Sequence, residues 1–409
     1  MSTPSPPLQA ARPSSLPALR LLFAIQLIAM GAMEMSGPFW PVHLRSLTSN
    51  EQLFSLAAVG VYVAPMLGLM LSSAFWGRIG DRHGHKLMMM RALLGLGLTQ
   101  FALCFCTEVW SILALRFLQG TCAGFIAPAQ AYGVSIAPAQ GRARLFAFLQ
   151  IATNLGSLGG ALLGGLILDQ SSFVWVNALA ACLCALCLLA TWLCLPRSPI
   201  KPPSPPPLPR AMAEAPTPWL RGPIAALLLI SALLLLARML GQSSFALYVQ
   251  TEFAVGNWLT GLCYGLMALG FVSSATRWAA HFEGKSAPQV LPQIALVATA
   301  CALLTGLAGM TQHIGLFIAL HFAWGIALGA TTPILSSLIS RAAGPKRQGR
   351  VLGLAQSCNQ FASIGGIALG MGFCQWLGLQ HLFAFIASFY AIAALSILLL
   401  RGRISSSLS

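Results

Sequence analysis

Charge is what this sequence has least of: only 8% of its residues are Asp, Glu, Lys or Arg, and just eight are acidic. A water-soluble domain carries about 25% charged residues, so the shortage excludes an ordinary soluble globular fold. Short alternating segments of the kind that close into a β-barrel are missing too, because the apolar stretches run on without interruption. The polar segments hold no Walker-type phosphate loop, no metal-ligand cluster and no Ser/His/Asp constellation, which leaves ATP hydrolysis, metal binding and enzymatic catalysis without a motif. Neither metal nor cofactor is expected. The eleven cysteines lie almost all within apolar runs. The one C-x-x-C, Cys184 with Cys187, has no adjacent His and no second pair, so these residues read as small buried hydrophobes.

What fills the chain instead is apolar: 57% of its 409 residues are hydrophobic. Runs long enough to cross about 30 Å of hydrocarbon fall at 20–42, 52–76, 87–107, 109–138, 144–168, 172–195, 223–250, 257–280, 289–311, 314–340, 350–374 and 379–400. The expected fold is an all-α membrane protein with twelve transmembrane helices. The net charge of +15 does not point to nucleic acid, because Lys and Arg gather in alternate connections. Arg78, Arg82 and Lys86 follow the second span, Arg142 and Arg144 the fourth, Arg197, Lys201, Arg210 and Arg221 the sixth, Lys285 the eighth, and Arg341, Lys346, Arg347 and Arg350 the tenth. The other connections hold Arg45 and the acids Glu51, Glu108, Asp169 and Glu252. By the positive-inside rule both termini are cytoplasmic, and the bilayer is the one macroscopic partner implied.

Composition also divides the chain. Residues 1–19 are Pro/Ser-rich and expected to be a disordered cytoplasmic N-terminus; residues 196–222 form a Pro-rich cytoplasmic linker; residues 403–409 are a cytoplasmic tail. Between them lie two six-helix bundles, 20–195 and 223–402, and these repeat. "ALRFLQGTCAGFIAPAQ" at 114–130 aligns with "ALHFAWGIALGATTPIL" at 319–335 at a shift of 205. "RLFAFLQIATNLGSLGGALLG" at 144–164 aligns with "RVLGLAQSCNQFASIGGIALG" at 350–370 at a shift of 206. Small residues recurring in this way let helix backbones approach closely. Two pseudo-symmetric bundles of six are a common transporter plan, with the substrate site between them. Positions that differ between halves are the ones free to be functional. At a shift of 206 Glu34 meets Leu240 and Arg238 meets Ala32; at 205 Arg116 meets His321.

A helix is expected over 21–40, where Glu34 is the sole charge, and a carboxylate near a helix centre costs roughly 2.5–3.5 kcal/mol on insertion scales. It lies about 10 Å below one helix end and Arg116 about 12 Å below the same side. Two readings stay open: a static ion pair that fixes packing, or a site that alternates between paired and protonated carboxyl. His321 is either a titratable partner or a packing residue. Arg238, about 22 Å into its span, suits an anionic substrate or the neutralisation of Glu34 across the halves. Gln242, Ser243 and the aromatics Phe39, Trp40, Phe245 and Tyr248 are candidates for the wall of a cavity, although aromatics near helix ends also anchor at the interface.

The connection "GRIGDRHGHK" at 77–86 places Gly77, Gly80 and Gly84 around a tight reversal, with Asp81 the one acid among Arg78, Arg82 and Lys86. Asp81 reads as a salt-bridged hinge or as a helix cap. This stretch resembles the major facilitator superfamily, whose signature here is G-x-L-[AS]-D-R-x-G-[RKH]-K; Gly77, Asp81, Arg82, Gly84, His85 and Lys86 match, while Ile79 and Gly80 depart from it. The resemblance implies a conformational latch between the bundles at Gly77, Asp81, Arg82, Gly84 and Lys86. "RFLQG" at 116–120 resembles the family's R-x-x-Q-G, which implies proton coupling at Arg116. "GSLGGALLGG" at 156–165 resembles the helix-five motif of drug-exporting antiporters through Gly156, Gly160, Gly164 and Gly165, with Ala161 in place of its proline. The resemblance thus implies a proton-coupled exporter of small amphipathic molecules in the inner (plasma) membrane, its ligands protons and a small-molecule substrate, without an obligate protein partner. Dedicated export of a metabolite such as a siderophore is the alternative; import or a non-transporting receptor is less favoured.

Overall fold

The computed structural model describes residues 15–136, 142–196, 222–343 and 348–408. In the first half, α1 (Ser15–Glu34) and α2 (Trp40–Leu47) make one crossing. α3 (Glu51–His83), α4 (His85–Leu103), α5 (Val109–Cys122) with α6 (Ile126–Ile136), α7 (Arg142–Gln170) and α8 (Phe173–Cys194) follow. In the second half, α9 (Pro223–Met239) and α10 (Phe245–Phe253) pair up in the same way. They precede α11 (Asn257–Phe282), α12 (Ala287–Met310), α13 (Ile314–Leu328) with α14 (Thr332–Ala343), α15 (Gln348–Leu377) and α16 (Leu382–Leu408). Among the described residues nine helices are long and apolar enough to cross a membrane. α4, α9 with α10, and α15 complete twelve crossings; they are shorter or more polar, since α4 opens on His85 and Lys86, α9 is short, and α15 carries Gln356, Asn359 and Gln360.

Three sequence expectations change. The first span is not one helix over 21–40: α1 stops at Glu34, and a 3₁₀ turn, Gly37–Phe39, separates it from α2. Pro38 has no N–H to donate, which ends the ladder there. The stretch expected to be disordered at 1–19 is helical from Ser15, since Pro17 falls in the first turn, where its missing donor costs nothing; residues 1–14 lie outside the described set. Gly77 and Gly80 belong to α3, which continues to His83. The reversal is the single residue Gly84, at φ 88°, and a Cβ on Gly80 would come within 3.1 Å of Met88 Cγ. The side chains of Asp81 and Arg82, and the linker residues 197–221, lie outside the described residues. Lys86 donates from Nζ to the carbonyls of Trp192 and Leu195, so it caps the C-terminal end of α8.

The repeat is a packing repeat. Backbones on α7 press on α1: a Cβ on Gly156, Gly160 or Gly164 would strike the carbonyls of Leu27, Gly31 and Met35. In the second half Gly366 and Gly370 press on Leu236 and Leu240 in the same way. That contact fixes the register of α1 against α9 at 205, so Glu34 corresponds to Met239 and Arg238 to Met33, each one place from the sequence alignment. Likewise Trp76 Nε1 donates to Thr121 O at 2.6 Å and Trp278 Nε1 to Ile326 O at 2.9 Å. Large apolar side chains on α4, α8, α12 and α16, including Leu98, Leu186, Leu303 and Leu399, face outward, as lipid contact requires.

Among the described residues, the hydrogen bonds that join the halves all lie at the end carrying the acidic connections. Asp169, at the foot of α7, accepts from Asn257 N (2.7 Å), Asn257 Nδ2 (2.8 Å) and Trp258 N (2.9 Å), and so caps α11 of the other half. Gln375 Nε2 reaches Glu51 O at 3.2 Å. Ile367 and Met371 of α15 join a buried cluster with Phe39, Trp40 and Phe54.

Candidate functional site

Four crossings are broken, and they are the first and fourth of each half. Each carries one of the intramembrane candidates: Glu34 closes α1, Arg116 sits on α5, Arg238 on the last turn of α9, and His321 on α13. Unwound backbone at membrane depth persists only where protein or a water-filled cavity satisfies it. Discontinuous helices of this kind gather around substrate and ion sites.

Glu34, Arg116, Arg238 and Tyr264 are only partly buried although they lie deep in their crossings, and Glu34 and Tyr264, from opposite halves, lie within electrostatic reach of each other. Glu34 folds back over the break: a Cβ on Gly37 would sit 2.6 Å from its Oε2. Tyr62 Oη donates to Gly37 O at 2.8 Å and holds that turn. The Glu34–Arg116 ion pair is absent from this arrangement. Arg116 instead donates from Nε to Val61 O at 3.0 Å and from a terminal nitrogen to Gln119 Oε1, and its Cζ lies 5.2 Å from the Trp40 ring centroid. The two charges remain within electrostatic reach of each other, and the hydroxyls of Tyr62 and Tyr264 share their field.

Phe39 and Trp40 do not line the cavity. Both are fully buried, Trp40 packing edge-on against Phe173 at 4.7 Å and seating Arg116, Phe39 joining the buried cluster around it. The second half repeats the scheme with other chemistry: His321 stands where Arg116 does, and Phe245, where Trp40 does, lies 5.3 Å from its ring. Phe245, Gln242 and Arg238 line one small cavity with Tyr264 and His321. Gln242 Nε2 donates to Tyr264 Oη at 3.2 Å. Of the helix-five glycines, Gly156, Gly160 and Gly164 bring α7 against the last turns of α1, beneath Glu34, while Gly165 meets Asn257 of α11 across the halves.

Sequence reasoning missed Tyr62 and Tyr264. They stand 202 residues apart, as do Gly68 and Gly270 and the pair Trp76 and Trp278, so an alignment at that shift finds them. The shifts of 205 and 206 read from the other helices do not bring them into register.

The family model of the Major Facilitator Superfamily matches residues 22–306 and 290–407. The chain belongs to this superfamily. It is a membrane transporter by that membership. Over 361 residues it is 24% identical to the multidrug resistance protein MdtG of Yersinia enterocolitica, covering 86% of this chain and 84% of that one. Over 150 residues it is 34% identical to the staphyloferrin B transporter of Staphylococcus aureus, a match spanning 36% of this chain and 35% of that relative's length. A bacterial homologue of the human lysosomal transporter Spinster, solved inward-facing and occupied, overlays with a TM-score of 0.74 at 13% identity, over 98% of this chain and 99% of that one. The human organic anion transporter MFSD10 gives 0.66 at 16% identity, over 94% and 100%. At those identities the overlays show the major facilitator fold.

Proposed function

We propose that this superfamily member is a proton-coupled exporter of small amphipathic molecules, working by alternating access in the inner (plasma) membrane with both termini cytoplasmic. The observation that carries the reading is Glu34: an acid at a break in the first crossing, within electrostatic reach of Tyr264 of the other half, with no ion-pair partner among the described residues. A carboxyl so placed is able to take up and release a proton as the halves rock, whereas one locked to Arg116 is not. The hydrogen bonds at the acidic end support a state closed there and open toward the basic connections, which is the cytoplasm-facing state on the positive-inside assignment. In the cycle, protonation of Glu34 from the outside favours return to this state, and substrate then competes with the proton. The latch at Asp81 and Arg82 governs the cytoplasmic gate.

Likeness to MdtG favours multidrug efflux, and likeness to the staphyloferrin B transporter favours the alternative of a dedicated siderophore exporter. The test uses everted vesicles with an acidified lumen and a pH-sensitive dye, challenged with cationic, neutral and anionic compounds. Proton release on adding a compound, abolished in Glu34→Gln at equal expression, is the expected result. Equal proton movement in Glu34→Gln and wild type overturns Glu34 as the carrier and directs attention to His321.

A further inference from the structure

Arg238 is the one charge on α9. Among the described residues it has no ion pair and no hydrogen bond: its Nε is buried without a partner, and its Cζ rests 5.5 Å from the Phe271 ring centroid. Arg116, by contrast, has two acceptors and an aromatic seat. An intramembrane guanidinium left in this way is poised for an anion.

The cavity beside it holds a second unmatched atom. His321 is 1% exposed, and its Nδ1 lies 3.1 Å from Phe317 O. A carbonyl oxygen only accepts, so in the neutral ring Nδ1 carries the hydrogen and Nε2 is left as an acceptor; it too is buried without a partner. The cavity, about 30 Å³, is lined by both residues, by Gln242 and Tyr264, and by the aromatic rings of Phe245, Trp324 and Phe383. That volume, in a pocket that is not closed off, seats the leading polar atoms of a ligand and not a whole molecule. Of the unpartnered atoms in this lining, Arg238 Nε and Trp324 Nε1 donate and His321 Nε2 accepts, so a complementary ligand is an anionic acceptor beside a hydrogen-bond donor, carried on an apolar body.

We propose that this cavity is the headgroup subsite for an organic acid whose carboxylate adjoins a hydroxyl, Arg238 receiving the carboxylate and His321 Nε2 accepting from the hydroxyl. The inference rests on reading the space between the halves as the substrate path, and it names the substrate class.

Three matched probes test it on the full chain, purified and reconstituted in lipid nanodiscs, by equilibrium dialysis with radiolabelled mandelate and competing cold ligands. Mandelate has the carboxylate, the adjoining hydroxyl and an aromatic body; phenylacetate lacks the hydroxyl; mandelamide lacks the charge. Wild type is expected to hold mandelate about tenfold more tightly than either analogue. Arg238→Gln is expected to erase the preference over mandelamide and keep that over phenylacetate; His321→Phe is expected to do the reverse. Each variant thereby reports its own intact fold through the preference it keeps. Equal affinity for the three probes in wild type, no binding of any of them, or both preferences surviving in Arg238→Gln overturns the subsite. The exporter reading fails separately: the expected binding pattern without proton release when mandelate is added to the vesicles leaves the subsite standing and removes antiport. Proton-coupled movement of cations with no preference among the probes does the opposite.

Discussion

At the scale of single residues, what matters is where the few polar side chains end up. Glu34, Arg116, Arg238 and His321 were legible because each is rare in its surroundings, and rarity in hydrocarbon is itself a physical signal. Their pairing was not legible. Helix rise puts Glu34 and Arg116 at similar depths, but the break after Glu34 turns the carboxylate back over Gly37, and Val61 O and Gln119 claim the guanidinium. Gly37→Ala places a methyl 2.6 Å from Oε2 and must displace the carboxylate. Vesicle transport driven by a pH gradient is expected to fall about tenfold, with thermal stability of the purified protein changed little; unaltered transport would show that the position of the carboxylate over Gly37 is immaterial. Tyr62→Phe removes the hydroxyl that holds Gly37 O, and is expected to cost about 1 kcal/mol of stability, read as a lower apparent Tm.

At the scale of elements, spans and glycine rows were legible and breaks were not. Hydropathy reports whether a segment belongs in lipid, and it is blind to whether one residue within the segment has left the helix. The second break turns on Gly124 at φ 95°, and the third on the run Leu240–Ser244. A single glycine or serine in an apolar run carries no hydropathy signal. The helix-five glycines were legible as a motif, and the structure supplies the reason for three of them: their Cα atoms rest on carbonyls of α1. Position then predicts outcome. Gly160→Ala forces its Cβ into Gly31 O and is expected to destabilise the protein by about 1–3 kcal/mol. Gly159→Ala, one residue away with nothing within 4 Å, is expected to be neutral or mildly stabilising, because alanine is the better helix former. Thermal unfolding of the two variants side by side checks this; equal losses would mean that the α1–α7 contact is looser than described.

At the scale of the whole molecule, twelve crossings in two related halves follow from hydropathy and repetition, and the family assignment agrees with both. The closure at the acidic end was not legible, since it rests on side-chain contacts that hydropathy and repetition do not report. Asp169 is the contact to test. Asp169→Ala strips the cap from α11, and the amides of Asn257 and Trp258 are expected to exchange hydrogen faster in the reconstituted protein, together with slower-opening neighbours at the acidic end. Unchanged exchange there would show that the clasp does not hold the halves. The clasp also sets an energy scale. An N-cap is worth about 1 kcal/mol, which at room temperature is a population ratio of roughly five. Once Asp169 leaves the helix start, water replaces it and the carboxylate is itself rehydrated, so this one cap's share stays near that figure, beside the Gln375 bond and the apolar contacts of Ile367 and Met371. In the proposed alternating cycle, a cap of this strength biases the halves toward the arrangement described without arresting them, and the binding energy of a proton or a small ligand is of the size needed to tip that balance.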